Sequence, residues 1–395
     1  MSEIRVTNVI GENGSSPVNF TQGINMSGIV TATSFVPTVG QLSHRNVLIN
    51  GAMNIAQRYT SSTSHPAYGA DRWRWGFGNH SAGTVTASQQ SLSSSDTPYT
   101  LGFRKYTRLA LGQAGTAAAN TYISMRYKVE AQDIAQSGWN YNSASSDITI
   151  SFWFRCSTNQ TFYFEVKSED GTPQSYVFSF TASGNNTWTK ITKTIPGNSN
   201  LQIDNDNGSG LALWIYQFYG TDYTNNKTLD QWAAYSGSNV MPDMASTWLT
   251  AGASTWDLTG IQLEVGSVAT PFEHRSAGDE FIRCQRYYQQ YVNISAVGYV
   301  PDNNSRTYSH GFFFPVEMRA APTMSITNTG SSNGQYITDG QTNRYVSSVL
   351  SQGSKTTHMS VSFNISGDLS DYRGAYLFGT GNTTYQTTYK IDAEL

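Results

Sequence analysis

The sequence predicts an all-β protein, and three observations carry that prediction. Charged residues make up only 13% of the 395 residues, while aromatic residues make up another 13%, with 24 Tyr, 18 Phe and 9 Trp. Several segments alternate apolar and polar side chains, which is typical of strands with one buried face. Polar turn sequences such as SEDGTPQ (168–174) and DNDNGSG (204–210) separate these segments. Strands of this length between such turns favour a β-sandwich.

Residues 1–44 are predicted to be extended strands that do not fold alone. Their apolar residues come in short pairs between glycines, such as Ile4 with Val6 and Ile24 with Met26. A segment of this size rarely supplies a sufficient core by itself. We expect it to become ordered by pairing with other copies of the chain or with a docking partner. A flexible tail is the alternative.

Residues 45–275 are predicted to form a β-sandwich body domain. DITISFWFRC (147–156) places alternate apolar side chains on one face, and TFYFEVKS (161–168) does the same. LALWIYQFYG (211–220) is apolar on both faces, which indicates a central strand or a strand covered by another subunit. GIQLEVG (260–266) is predicted to be the closing strand, and TNNKTLDQWAAYSGSN (224–239) a short helix or a long loop.

A connecting helix is predicted over residues 276–292, and a second β domain over 293–395. Ser276 is the expected N-cap, with Asp279 three residues later. Helical spacing would align the side chains of Phe281, Cys284, Tyr288 and Val292. This helix is interpreted as a hinge or strut, and the second domain as another β-sandwich. The two cysteines, Cys156 and Cys284, favour buried free thiols over a disulfide.

Charge and motifs exclude several classes of function. The net charge is −3 with no basic cluster, so no nucleic-acid partner is expected. No apolar run is long enough for a membrane span, and no secretory signal is visible. The six histidines form no HExxH motif, and neither a GxSxG nor a P-loop motif is present. We therefore predict a protein that is not an enzyme, with His274 as a structural loop residue rather than an acid–base catalyst.

Several segments resemble parts of bacteriophage tail fibre proteins. A β-sandwich module of those proteins has a similar start and a similar closing signature, and a distal domain follows it. The matching segments are FTQGINMSGIVTATSF (20–35), NVLINGAMNIAQR (46–58), YGADRW (68–73), TGIQLEVGSVATPFEHRSAGDEFIRCQRYYQQ (259–290), FFFPVEMRAAPTM (312–324) and IDAEL (391–395). The resemblance implies a jelly-roll sandwich similar to carbohydrate-binding modules and a C-terminal domain at the tip of the fibre.

The same resemblance implies a virion protein of the phage tail, made in the host cytoplasm. It implies a homotrimer whose N-terminal segment docks to the tail or to other virion proteins. It also implies attachment to a glycan or receptor of the host surface. The alternatives are a capsid fibre or tail adaptor without receptor binding, and a host-polysaccharide hydrolase. Loops at 301–308 and 333–345 are alternative candidates to the sandwich for receptor binding.

Glycan recognition requires aromatic faces beside side chains that bond hydroxyl groups. Aromatic residues in loop-like, polar sequence are therefore the candidate ligand-binding residues, with burial in the core as the alternative for each: Trp75, Trp139, Tyr141, Trp232 and Tyr235. Trp73 is interpreted as a buried anchor instead. Asp204 and Asp206 are candidate ligands for a structural calcium, although a hydrogen-bonded turn explains their spacing equally well. No other cofactor is predicted.

Overall fold

The computed structural model describes residues 43–293, 295–300, 307–328, 336–365, 367, 369, 374–378 and 387–395. The docking and trimerising segment predicted for residues 1–44 therefore lies almost entirely outside the described residues, and its role stays a prediction.

The continuous part of the chain from 43 to 293 holds the predicted body domain. Its strands, in chain order, are β1 (Ser61–Ser62), β2 (Ala67–Ala70), β3 (Trp73–Gly78), β4 (Val85–Ser91), β5 (Lys105–Leu111), β6 (Tyr122–Glu130), β7 (Asp147–Cys156), β8 (Asn159–Ser168), β9 (Gln174–Ser183), β10 (Thr189–Pro196), β11 (Ser209–Tyr219), β12 (Trp232–Ala234), β13 (Thr255–Val265) and β14 (Tyr288–Val292). The helices are α1 (Thr97–Thr100), α2 (Ala131–Ala135), α3 (Thr247–Thr250) and α4 (Ala277–Gln285).

Two antiparallel sheets form the sandwich and confirm the predicted all-β class. The first sheet has the order β1-β4-β5-β13-β7-β10, and the second has the order β12-β9-β8-β11-β6-β3-β2. The core lies between them and is strongly aromatic. Phe152 of the first sheet stacks on Phe164 of the second at 5.6 Å, and Trp256 meets Trp75 edge-on at 6.0 Å. Aromatic pairs at these separations stabilise a core beyond their buried area.

The strand predictions hold where alternation was strongest. Ile148, Ile150, Phe152 and Phe154 of β7 all point into the core. The two-faced segment 211–220 is β11, which lies between β8 and β6 in the middle of the second sheet. Of the two interpretations offered for it, the central strand is therefore correct. Cys156 and Cys284 are free and buried, as predicted.

The region 224–239, predicted as a short helix or a long loop, is mainly loop. It contains only the short edge strand β12, which pairs with β9.

The predicted helix over 276–292 is too long. Helix α4 ends at Gln285, and residues 288–292 form β14 instead. The N-cap prediction is confirmed, because the Ser276 hydroxyl accepts a hydrogen bond from the Asp279 amide at 3.1 Å. The helix ends there because Tyr287 and Tyr288 turn into buried positions, from which β14 pairs with a strand at the end of the chain.

The C-terminal part contains a closed barrel rather than the predicted second sandwich. Its strands are β15 (Ala296–Tyr299), β16 (Thr307–Phe313), β17 (Thr323–Asn328), β18 (Tyr336–Thr338), β19 (Asn343–Ser354), β20 (His358–Ile365), β21 (Gly374–Phe378) and β22 (Thr387–Asp392). Among the described residues, the barrel has the order β15-β16-β20-β19-β18-β21, beside a three-stranded sheet β14-β22-β17. Closure leaves a barrel no unpaired edge.

Two buried arginines of the sandwich hold the C-terminal residues in place. Arg58 lies between the rings of Tyr68 and Tyr288, and forms ion pairs with Asp392 at 3.1 Å and Glu394 at 3.2 Å. Arg72 lies between the rings of Tyr127 and Tyr287 and also pairs with Glu394. These contacts tie residues at both ends of the C-terminal part to the sandwich, which favours the strut interpretation of α4 over the hinge.

Another ion pair ties the residue after α4, Arg286, to the second sheet. The buried Glu130 carboxylate accepts hydrogen bonds from Arg286 Nε and Nη2, both at 2.8 Å, and from the Tyr287 hydroxyl. Burial raises the pKa of Glu130, but the hydrogen bonds from Arg286 and Tyr287 outweigh this effect and lower the pKa below its ordinary value.

Across the residues that the structure describes, no helix has the length and apolar composition that a bilayer crossing requires.

We predict that Glu130→Gln destabilises the protein at pH 7 by roughly 1.5–3 kcal/mol, since it removes charge-assisted hydrogen bonds. A carboxyl whose folded pKa is lowered contributes stability above its unfolded pKa of about 4.3, and that stability is lost as the pH falls through the folded pKa. The difference between parent and variant should therefore shrink below about pH 4. Urea unfolding at pH 7 and pH 3 measures it. Asp222→Asn, at an exposed carboxyl, is the control, and a difference independent of pH would contradict the account.

Candidate functional site

Two of the five predicted glycan-binding aromatics are buried, which corrects the prediction for them. Trp75 belongs to β3, and its fully buried indole donates a hydrogen bond to Thr107 Oγ1 at 3.2 Å. Trp139 is 3% exposed and donates to the Ser146 carbonyl at 3.0 Å. Neither ring offers a face to a ligand. Their polar sequence neighbours suggested loops, but in β3 the register places Trp73, Trp75 and Phe77 inward, and Trp73 is buried as predicted.

The other three predicted aromatics are more accessible. The Tyr141 hydroxyl contacts the Ile203 carbonyl at 3.4 Å, and Trp232 donates to the Pro196 carbonyl at 2.7 Å. Both rings are half-buried against the core. Tyr235 is 38% exposed, with the Lys167 ammonium 4.4 Å from its ring centre. A glycan role for these three residues stays a prediction.

The candidate calcium ligands lie in a hydrogen-bonded turn. Asp206 Oδ1 accepts from the Gly208 amide at 2.8 Å, and the Asp204 amide donates to Asp170 Oδ2 at 2.9 Å. In the described part of the chain, no three His, Cys, Asp or Glu side chains are grouped so that they could hold a metal ion. The hydrogen bonds are those of the turn alternative, and a calcium role for Asp204 and Asp206 stays a prediction.

His274 makes the structural contacts expected of it. Its Nε2 lies 2.9 Å from the Leu101 carbonyl, and its ring packs at 4.9 Å against both Phe103 and Phe272.

The outer face of the second sheet carries a row of side chains that the sequence analysis did not assign to a site. Register places Arg74 of β3 opposite Arg126 of β6, Arg126 opposite Trp214 of β11, and Trp214 opposite Glu165 of β8. Because successive side chains of a strand point to opposite faces, the four lie on one face. Their neighbours Trp75, Met125 and Ile215 are buried on the core side. The row thus crosses the middle of the sheet on its solvent side.

A groove of about 220 Å³ lies over this row. We call it the arginine groove, and its lining residues are His65, Arg74, Gly76, Tyr122, Ser124, Arg126, Trp214 and Tyr219. Trp214 is half-buried, with the Arg126 guanidinium 5.4 Å from its ring centre. Ser124 and Tyr219 place their hydroxyls 3.3 Å apart. The groove therefore combines an aromatic surface with donors and acceptors for hydroxyl groups.

The floor of the arginine groove is open at Gly76. A Cβ added there would come no closer than 3.8 Å to His65 Nε2 and 4.0 Å to Ser124 Oγ. The absence of a side chain at this outward position leaves the space that the groove occupies.

Glu165 at the far end of the row is buried and internally bonded. Its carboxyl accepts from Ser175 Oγ at 2.6 Å and from the Tyr216 hydroxyl. Burial raises the pKa of Glu165, although these two hydrogen bonds act against the rise. With one oxygen bonded to each partner, this carboxyl shapes the sheet surface rather than presenting a free acid or base to the groove.

A second groove of about 380 Å³ lies on the first sheet, beside Phe103, Trp153, Lys190 and Phe272. It contains the half-buried Trp153 of β7 and is mainly apolar in its side chains. It provides an internal comparison for the arginine groove, because each presents one half-buried tryptophan.

The sequence matches no protein-family profile and no curated protein. Among solved structures, the chain is similar to the enzymatically active domain of bacteriophage CBA120 tailspike protein 4, at 9% identity and a TM-score of 0.29, over 56% of this chain and 21% of that one. The chain thus spans about a fifth of the length of that solved domain. It is also similar to the module TmCBM61 in complex with β-1,4-galactotriose, at 9% identity and a TM-score of 0.27, over 55% of this chain and 97% of that one.

A family 11 carbohydrate-binding module of a Clostridium thermocellum cellulase gives 15% identity and a TM-score of 0.26, over 55% of this chain and 98% of the module. These likenesses are distant, so the functional conclusion below depends on the groove itself.

Proposed function

We propose that the protein is a non-catalytic, glycan-binding component of a phage tail, and that the arginine groove holds the glycan. One observation carries the binding proposal: the groove sets the half-buried face of Trp214 beside the hydroxyls of Ser124 and Tyr219 and the guanidinium of Arg126. Ligand sites combine apolar surface with a few convergent polar groups in this way.

The side chains of the groove are suited to holding a ligand rather than to hydrolysing it. Glycoside hydrolysis uses two carboxyl groups, one on each side of the scissile bond. The lining residues of the groove contribute guanidinium, hydroxyl, imidazole and indole groups. The adjacent carboxyl, Glu165, is bonded to Ser175 and Tyr216. This contrast supports a binding role over the alternative of a host-polysaccharide hydrolase.

The place in the virion is proposed from the sequence resemblance. The order of the matching segments, from 20–35 to 391–395, supports a homotrimeric tail fibre that attaches the particle to its host. Three copies of one weak glycan site on each fibre, and several fibres on each particle, would hold a cell through avidity. Avidity of this kind supports attachment through sandwich sites of low individual affinity.

We predict that Trp214→Ala weakens binding to the host surface polysaccharide by at least about tenfold, because aromatic anchors dominate such sites. Affinity electrophoresis in gels containing that polysaccharide measures the effect. The matched control is Trp153→Ala, which removes the same half-buried side chain type from the opposite sheet and should change affinity by less than about twofold. If the Trp153 variant loses binding and the Trp214 variant keeps it, the arginine groove is the wrong site.

The attachment role predicts that the purified protein, added to cells first, blocks phage adsorption. The Trp214→Ala variant should block it poorly at the same concentration, since it cannot occupy the receptor. Light scattering on the same preparation should give about three times the chain mass of 43.4 kDa. If phage particles adsorb fully in the presence of saturating trimeric protein, the capsid-fibre or tail-adaptor alternative is favoured. A monomer in the light-scattering measurement would contradict the fibre assembly.

A further inference from the structure

The arginine groove contains an arrangement of charge that a neutral ligand does not explain. Arg74 and Arg126 are directly opposite each other in the β3–β6 register and point to the same face. Side chains in such positions have their Cβ atoms roughly 5 Å apart, and like charges placed there destabilise a sheet. The repulsion between these two arginines therefore destabilises the sheet at this position.

No acidic side chain among the described residues pairs with either arginine. The side chain of Arg74 makes no hydrogen bond or ion pair with the residues that the structure describes. Arg126 donates to the backbone oxygen of Leu395 at 3.1 Å and lies near the Trp214 ring. Burial and then the charge of Arg74 lower the pKa of Arg126. An arginine stays protonated in proteins, so two positive charges remain on the groove wall.

The neighbouring acids have other partners. Glu169, whose charge acts on Arg126, is held by Lys128 and Lys167, each at 2.7 Å. Glu165, opposite Trp214, is buried and accepts hydrogen bonds from Ser175 and Tyr216. These acidic side chains thus do not pair with Arg74 or Arg126, in contrast to Glu394, which pairs with both Arg58 and Arg72.

We propose that the arginine groove recognises a carboxylate-bearing sugar, with the carboxylate between the guanidinium groups of Arg74 and Arg126 and the sugar ring against Trp214. Planar guanidinium groups bind carboxylates through two parallel hydrogen bonds, which gives direction as well as affinity. This inference rests on the proposed function, because it names the class of glycan that the same groove binds.

The dimensions of the groove fit one sugar unit. Its volume of about 220 Å³ is below the roughly 300–1,000 Å³ of pockets that enclose drug-sized ligands. The low floor at Gly76 lies two residue pairs along the sheet from the arginines, at the next position on the same face, since Gly76 is opposite Ser124. A sugar ring that lies against Trp214 can direct its carboxylate to the arginines and its hydroxyls to Ser124 and Tyr219.

The first test compares matched glycans on the full-length protein. The probes are oligosaccharides of alginate, polygalacturonate, hyaluronan and polysialic acid, and the extracted host polysaccharide, each beside its carboxyl-reduced form. We expect binding to at least one acidic member and a loss of at least about tenfold after carboxyl reduction. If carboxyl reduction leaves the binding affinity unchanged, the proposal is wrong. If the protein binds dextran sulfate as tightly as the carboxylated ligand, the groove recognises charge alone, and the proposal is again wrong.

The second test separates a ligand role from a structural role for the arginines. Arg74→Gln should lower affinity for the acidic ligand by about 10- to 100-fold while the melting temperature stays equal or rises, because like-charge repulsion is relieved. Arg126→Gln should show the same loss of affinity. Binding of the parent should also weaken with added NaCl, and the double variant should lose most of that dependence. Arg104→Gln, at an exposed arginine elsewhere, is the control for net charge.

The outcomes distinguish this inference from the proposed function. If glycan binding depends on Trp214 but both arginine variants bind as the parent does, the glycan function stands and the acidic-sugar inference fails. If the arginine variants lose binding only together with a lower melting temperature, their role is structural and the inference fails. If no probe or host polysaccharide binds, both fail.

Discussion

The alternation of side chains along β3, β6 and β11 is the constraint on which the rest of this structure depends. The sandwich core requires Trp75, Met125 and Ile215 to point inward, and each is buried. A slip of one residue would expose all of them, so the register is strongly fixed. The same register obliges Arg74, Arg126 and Trp214 to point outward in one row. The groove surface is therefore determined by the packing on the other side of the sheet.

The two pairs of arginines show how burial and partners give one residue type different roles. Arg58 and Arg72 are almost fully buried, lie between tyrosine rings and share Glu394. A buried charge needs such partners, because removing a charge from water without them is very costly. Arg74 and Arg126 are half-exposed and accessible to water, so the fold tolerates the pair without an acidic side chain. The first pair binds the side chains of Asp392 and Glu394, while the second contacts the end of the chain only through the Leu395 oxygen and leaves a positively charged surface open.

Sequence reasoning predicted the features that depend on neighbours along the chain. Alternation identified β7, β8 and β11, and the Ser276 cap followed from a local pattern. It was wrong about Trp75 and Trp139, because polar neighbours do not reveal which face of an element is buried. It missed the groove because β3, β6 and β11 are far apart in sequence and adjacent only in the sheet. One signal was available: the apolar outer face of 211–220, which included Trp214.

The central claim is that the glycan lies on the outer face of the seven-stranded sheet, over Trp214. A crystal structure of the full-length protein with a bound host oligosaccharide tests it most directly. The account predicts one sugar ring against the indole, with its hydroxyls toward Ser124 and Tyr219. Sugar bound instead over Trp153 on the opposite sheet, or on the C-terminal barrel with the arginine groove free, would contradict it.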